Sequence, residues 1–109
     1  LRDYIFVEDL ASAFVLAAVN DKANGEVFNV GSGIGTRFRD MVNLVVKIVG
    51  TGKVEYIPWP DNYLNVETGD YVTNISKISD MIGWVPSVSF EEGIEKTFLF
   101  YNKYGKNYF

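Results

Sequence analysis

Hydrophobic positions along this chain follow two rhythms. Leu10, Phe14, Ala17 and Ala18 recur at helical spacing, while Val15, Leu16 and Val19 fill most of the remaining circumference. A helix apolar nearly all round is one covered on more than one side. The run Arg37 to Val49 repeats the pattern: Phe38, Met41, Val42, Leu44, Val45, Val46, Ile48 and Val49 leave a thin polar side of Arg39, Asp40, Asn43 and Lys47. Ile75, Ile78 and Ile82 predict a short third helix, and Phe90, Ile94, Phe98 and Tyr101 a fourth. The other rhythm is extended. Tyr4–Val7, Val27–Val30 and Val54–Ile57 are rich in β-branched and aromatic residues, as strands prefer, with Tyr71-Val72 a brief addition.

Local signals mark the ends of these elements. Glu8 and Asp9 sit where acids favour a helix N-terminus. Thr36 is placed to cap the second helix, and Gly50-Thr-Gly52 to end it. Gly83 closes the third helix, and Ser89 with Glu92 three residues on forms a capping box for the fourth. Strand 27–30, helix 37–49 and strand 54–57 predict one βαβ unit with a right-handed crossover. Residues 61–68 read as a loop, and the tail from Asn102 carries no firm structural signal. The expected fold is α/β: one small domain over residues 1–109 with a βαβ unit, short strands and about four helices.

Composition narrows the chemistry. With 109 residues, 48% of them hydrophobic, the chain is globular in character. It has neither cysteine nor histidine, which removes thiolate nucleophiles, disulfides, sulfur-bound zinc and His-based triads. The net charge is −4 and the ten Lys and Arg are scattered, which argues against nucleic acid as a partner. No apolar run approaches the ~18 residues of a membrane span. A cytoplasmic setting is expected. The first residue is Leu and strand-like residues follow at once, so the chain reads as a piece of a longer one.

Gly31, Gly33 and Gly35 lie between a predicted strand and a predicted helix, which invites a nucleotide-site reading. The dinucleotide fingerprint is G-x-G-x-x-G, with the third glycine allowing close helix–strand packing. Here Thr36 stands in that third place, and Glu55 lies inside the next predicted strand rather than at its tip. The loop is therefore read as a structural turn.

Five segments in order carry a resemblance: Arg2-Asp-Tyr-Ile-Phe-Val-Glu-Asp-Leu10, Gly25-Glu-Val-Phe-Asn-Val-Gly-Ser-Gly33, Tyr71-Val-Thr-Asn-Ile-Ser-Lys77, Ile82-Gly-Trp-Val-Pro86 and Ser89-Phe-Glu-Glu-Gly-Ile94. Together the chain resembles the C-terminal, substrate-binding part of an extended short-chain dehydrogenase/reductase, the NAD-dependent epimerases and dehydratases of nucleotide sugars. The resemblance implies an N-terminal Rossmann half, absent here, that binds NAD or NADP and carries a Tyr-x-x-x-Lys pair. No cofactor site is expected in this chain, and none of its seven tyrosines has Lys four residues later. The nearly all-apolar helices fit a domain with one face against that missing half.

The resemblance also assigns candidate contacts to a nucleotide-diphosphate sugar. Arg2 falls where related epimerases contact the diphosphate, and its guanidinium fork suits two phosphate oxygens; a surface ion pair with Asp3 or Glu8 is the alternative. Tyr4, two residues on, shares its face and lines either pocket or core. The family's Arg-x-Gly-(Asp/Glu) element has no arginine here, where the chain reads Pro58-Trp-Pro-Asp-Asn-Tyr-Leu-Asn-Val-Glu67. Glu67 matches the acidic position near a ribose hydroxyl. Trp59 and Tyr63 offer rings for a base or sugar, or cover for the core. Asn74 stands where the family commonly has Asp. Arg37 and Arg39 oppose the dipole of the second helix and read as solvated surface residues, with help in holding an anion as the alternative.

The expected function is thus the substrate-binding portion of a nucleotide-sugar epimerase or dehydratase, inactive alone, with hydride transfer at the sugar C4 by the absent half. A non-catalytic assembly domain of the same fold is the alternative. Bare apolar faces predict a homo-oligomer in either case.

Overall fold

Asp9 and Trp84 show how the chain is held together: one is a charged residue and one the largest of side chains, and both are buried. The computed structural model describes residues 1–60 and 69–108. Within them, β1 (Arg2–Asp3) leads into α1 (Val7–Ala18), and β2 (Gly35–Thr36) into α2 (Phe38–Val49). Two further helices follow, α3 (Ser76–Ile82) and α4 (Phe90–Tyr104).

The helices sit where the apolar spacing puts them. α1 begins at Val7, three residues before the first apolar repeat, with Glu8 and Asp9 in its first turn against the dipole. α2 and α3 both end on left-handed glycines, Gly50 at φ 74° and Gly83 at φ 75°. The capping box of α4 is complete. The Ser89 hydroxyl accepts from the Glu92 amide at 3.2 Å, and the Glu92 carboxylate accepts from the Ser89 amide at 2.9 Å. α4 continues through the unassigned tail to Tyr104, where a 3-10 turn over Gly105–Asn107 follows. Phe100 packs on Tyr104 with ring centroids 5.1 Å apart, which gives this end its order.

The α/β class and four helices agree with expectation, but the strands fall elsewhere. β1 pairs antiparallel with β2, Arg2 opposite Thr36 and Asp3 opposite Gly35. Among the described residues, segments 27–30, 54–57 and 71–72 belong to no ladder, so the expected βαβ unit is not formed. A strand exists only where a neighbour takes its amides and carbonyls. Among the described residues no strand pairs with 27–30 or 54–57, and Val27 and Ile57 are 81% and 72% exposed. Thr36 is a β2 residue rather than a cap. Its backbone serves the ladder, and the N-cap passes to Arg37, whose side chain makes no capping bond.

The core is small. Ala13 from α1, Ile78 and Ile82 from α3, and Trp84 are its buried members, with Ile5, Leu16, Phe28 and Met81 packed around them. The Trp84 indole donates to the Ser12 hydroxyl at 2.9 Å, so its polar atom is satisfied inside. α2 has no buried residue at all. The radius of gyration is 17.0 Å, against about 13 Å for a compact chain of this length. The accessible surface is 8416 Å², where a compact monomer of this mass shows about 6,100 Å². Much of the excess is apolar: Val7, Phe14, Val15 and Val19 on α1, Phe38 on α2 and Leu99 on α4 are all exposed.

Candidate functional site

The site is built outward from Asp3, where three stretches of chain meet. One Asp3 carboxylate oxygen, Oδ1, accepts the Ser32 amide at 2.8 Å and the Ser32 hydroxyl. The other, Oδ2, accepts the amides of Gly33 and Thr73, each at 3.0 Å. Burial pushes the carboxyl toward its neutral form, but the bonds from Ser32 and Thr73 outweigh it and leave the pKa below the usual 3.8. Gly31 makes this possible: a Cβ there would stand 2.3 Å from the Thr73 hydroxyl and 2.7 Å from Asp3 Oδ2. Gly33 turns the loop at φ 72°. The loop is thus a turn tied down by a carboxylate of the same chain.

A second carboxylate does the same work further along. Asp9 Oδ1 accepts the Ser87 amide at 3.1 Å and its hydroxyl at 2.8 Å, while Oδ2 accepts the Val88 amide at 2.9 Å. Burial again opposes charge, the bonds from Val88 and Ser87 win, and the pKa is lowered. This bond set fixes residues 87–88, and so the start of α4, against α1.

Between the two clamps lie adjoining hollows. One of about 200 Å³ is lined by Tyr4, Phe6, Phe90, Gly93 and Thr97 among others. The other, about 160 Å³, is lined by Ser32, Thr36, Ser87, Ser89 and Phe90 with apolar neighbours. Phe90 and Ser89 border both. The Tyr4 ring lies on Phe90, centroids 5.1 Å apart and planes 30° apart. Gly93 lets Phe6 come close, since a Cβ there would meet the Phe6 ring at 3.1 Å. Thr36, the direct cross-strand partner of Arg2, shares the face of the ribbon on which Arg2 stands.

The expected contact residues are only partly brought together. Tyr4 lines one of the hollows. Arg2 stands beside Thr36 and donates through Nη1 to the carbonyl of Leu1 at 2.9 Å and to that of Gly69. Both of these partners are main-chain carbonyls. Glu8 pairs with Lys96 at 3.4 Å. Trp59 is 55% exposed. Tyr63 and Glu67 lie outside the described residues. Asp3, Thr36 and Phe90 were not read as site residues. The available signal was Asp3 itself, an acid between Arg and Tyr at the start of a strand-like run with a glycine loop to face. Among the described residues no three His, Cys, Asp or Glu gather to hold a metal ion, and no helix is long and apolar enough to cross a membrane.

With this geometry in view, residues 1–97 match the family model of GDP-mannose 4,6-dehydratase. The chain belongs to the GDP-mannose 4,6-dehydratase family. Its similarity extends to differently named relatives. It is 34% identical over 101 residues to UDP-glucose 4-epimerase of Mycolicibacterium smegmatis, covering 92% of this chain and 31% of that protein. It is also 34% identical over 106 residues to GDP-L-fucose synthase 1 of Arabidopsis thaliana, covering 94% and 30% respectively. A crystal structure of UDP-glucose 4-epimerase with UDP-glucose, from Thermotoga maritima, superposes with a TM-score of 0.77 at 33% identity, over 94% of this chain and 31% of that one. The chain spans about a third of the length of the relatives it matches. The resemblance carried by the five segments, from Arg2 to Ile94, is therefore a family membership.

Proposed function

We propose that this chain is the substrate-binding portion of an NAD(P)-dependent nucleotide-sugar epimerase or dehydratase, with the hydride chemistry at the sugar C4 carried by a portion outside it. The observation that supports this most strongly is the likeness, over 94% of the chain, to an epimerase whose structure was solved with UDP-glucose. Arg2 and Tyr4 would contribute phosphate and ring contacts, Trp59 a stacking surface and Glu67 a ribose contact. In this reading the chain's part in catalysis is positional. Binding energy from the nucleotide diphosphate, remote from the reacting carbon, holds the sugar still for a transfer performed elsewhere.

The glycine loop does not fit the pyrophosphate of NAD(P). The Ser32 and Gly33 amides that a pyrophosphate would need already donate to Asp3, and the space over Gly31 is filled by Thr73. In this reading the cofactor belongs to the rest of the parent protein. The uncovered faces of α1 and α2 also suit a pure assembly role, which retains the fold without the ligand. Titrating UDP- and dTDP-sugars into the chain while following amide shifts separates the two. Shifts at Arg2, Tyr4 and Trp59 are expected, and a silent titration would sink the substrate-binding reading. Mixed with NAD and UDP-glucose, the chain alone should show no turnover; measurable turnover would place the chemistry within it.

A further inference from the structure

Four residues with hydroxyl side chains line the smaller hollow, Ser32, Thr36, Ser87 and Ser89. Three of them have their protons committed to carboxylates that hold the fold. Ser32 donates to Asp3, Ser87 to Asp9 at 2.8 Å and Ser89 to Glu92 at 2.8 Å. Thr36 is the exception. Its backbone serves the β1–β2 ladder, and the N-cap of α2 is Arg37. Its half-buried side chain has no hydrogen-bond partner among the described residues. The fold therefore makes no use of this hydroxyl.

Register decides where the hydroxyl stands. Thr36 lies directly opposite Arg2 in an antiparallel pair. Such partners project from one face, with Cβ atoms about 4.5–5.5 Å apart. Arg2 is steadied there, since Nη1 donates to the main-chain carbonyls of Leu1 and Gly69. Tyr4 reaches the same neighbourhood, because its ring lies on Phe90, which borders the hollow of Thr36 as well as its own. A guanidinium and an uncommitted hydroxyl thus stand side by side, next to a hollow with an aromatic border. We propose that Thr36 is a binding residue for the phosphates of the ligand, its Oγ1–H donating to a phosphoryl oxygen held beside the Arg2 guanidinium. A phosphoryl group offers several acceptor oxygens, so a hydroxyl adds a donor from a second direction to the planar fork, and a bond to an ionised acceptor is roughly twice as strong as a neutral one. This rests on the nucleotide-sugar reading for the identity of the ligand, though not for its charge.

The test is calorimetric titration of the 109-residue chain, wild type, Thr36→Val and Thr36→Ser, with UDP-glucose and separately with inorganic pyrophosphate. Thr36→Val should weaken both about tenfold, the loss of one hydrogen bond to an anion. Thr36→Ser keeps the hydroxyl and should bind within about threefold of wild type. Thermal melting of Thr36→Val should be unmoved, since valine keeps the branched shape that suits a strand and the hydroxyl holds nothing in the fold. If UDP-glucose binds and Thr36→Val binds it equally well, the Thr36 inference fails and the substrate-binding reading stands. Equal losses in the Val and Ser variants would also sink it, because packing rather than the hydroxyl would then be at issue. A loss with UDP-glucose but not with pyrophosphate would move the hydroxyl to the sugar and overturn the phosphate assignment. If only pyrophosphate binds, with the Thr36 dependence intact, the site survives and the nucleotide-sugar reading falls. If neither binds to the wild type, both fall.

Discussion

The Asp3 corner and α2 make opposite use of the same chain. At the corner, a two-residue ribbon, a glycine loop and the stretch around Thr73 are fixed by one carboxylate and need nothing from outside. α2 is twelve residues of mostly apolar side chains, and none of them is buried. Hydrogen bonds are directional and satisfied pair by pair, so the corner is complete in itself. Hydrophobic faces are satisfied only by cover, and α2 finds part of its cover along its contact with α4, where Lys47 and Glu91 lie 3.6 Å apart. In this chain the polar joints are closed while apolar faces stay bare.

The largest effects should separate these regions directly. Ile78, 1% exposed at the centre of the core, should lose about 2–5 kcal/mol as Ile78→Ala. Val46→Ala on half-covered α2 should cost no more than ~1 kcal/mol. Denaturant melts of both variants check this, and equal losses would mean that α2 is as well packed as α3.

Next comes acid sensitivity. Asp3 and Asp9 both titrate below the ordinary 3.8 when folded. Their contribution is therefore present above that value and drains away as pH falls through it toward the folded pKa. Asp9→Asn and Asp3→Asn should lower stability at neutral pH and flatten its decline between about pH 5 and 2. An unchanged acid limb would show that the clamps do not govern it. The smallest change in fold, though not in behaviour, should follow from Phe14→Glu. The wild-type chain is expected to self-associate in light scattering as its concentration rises. Phe14, 71% exposed on α1, should shift that equilibrium toward monomer with the melting point nearly unmoved.

What could be read from the sequence divides along the same line. The helices were legible because their signal is local: Ile75, Ile78 and Ile82 repeat within one segment, Gly50 and Gly83 end their own helices, and Ser89 caps with a residue three positions away. The ribbon was not legible, because two residues per strand leave no alternation to detect. Val27–Val30 and Val54–Ile57 carried a good strand signal and formed no ladder, since pairing depends on a neighbour that composition cannot supply. Asp3 and Asp9 were seen as ordinary acids near a strand and a helix start. Their partners lie 29 to 70 residues and 78 to 79 residues away, too far for spacing to betray them. Arg2 became a candidate contact only through resemblance, and Tyr4 through sharing its face in an extended run.

α1 is built the wrong way out for a chain living alone. Its inward side holds an aspartate at 3% exposure, while Val7, Phe14, Val15 and Val19 face the solvent. To a chaperone or a protease such a helix looks like an unfinished folding intermediate, the kind of surface that cellular quality control engages. Its lifetime in a cell should then be set by how quickly that side finds its complement. Synthesis rate and partner abundance would govern the amount of this polypeptide more than its own melting temperature.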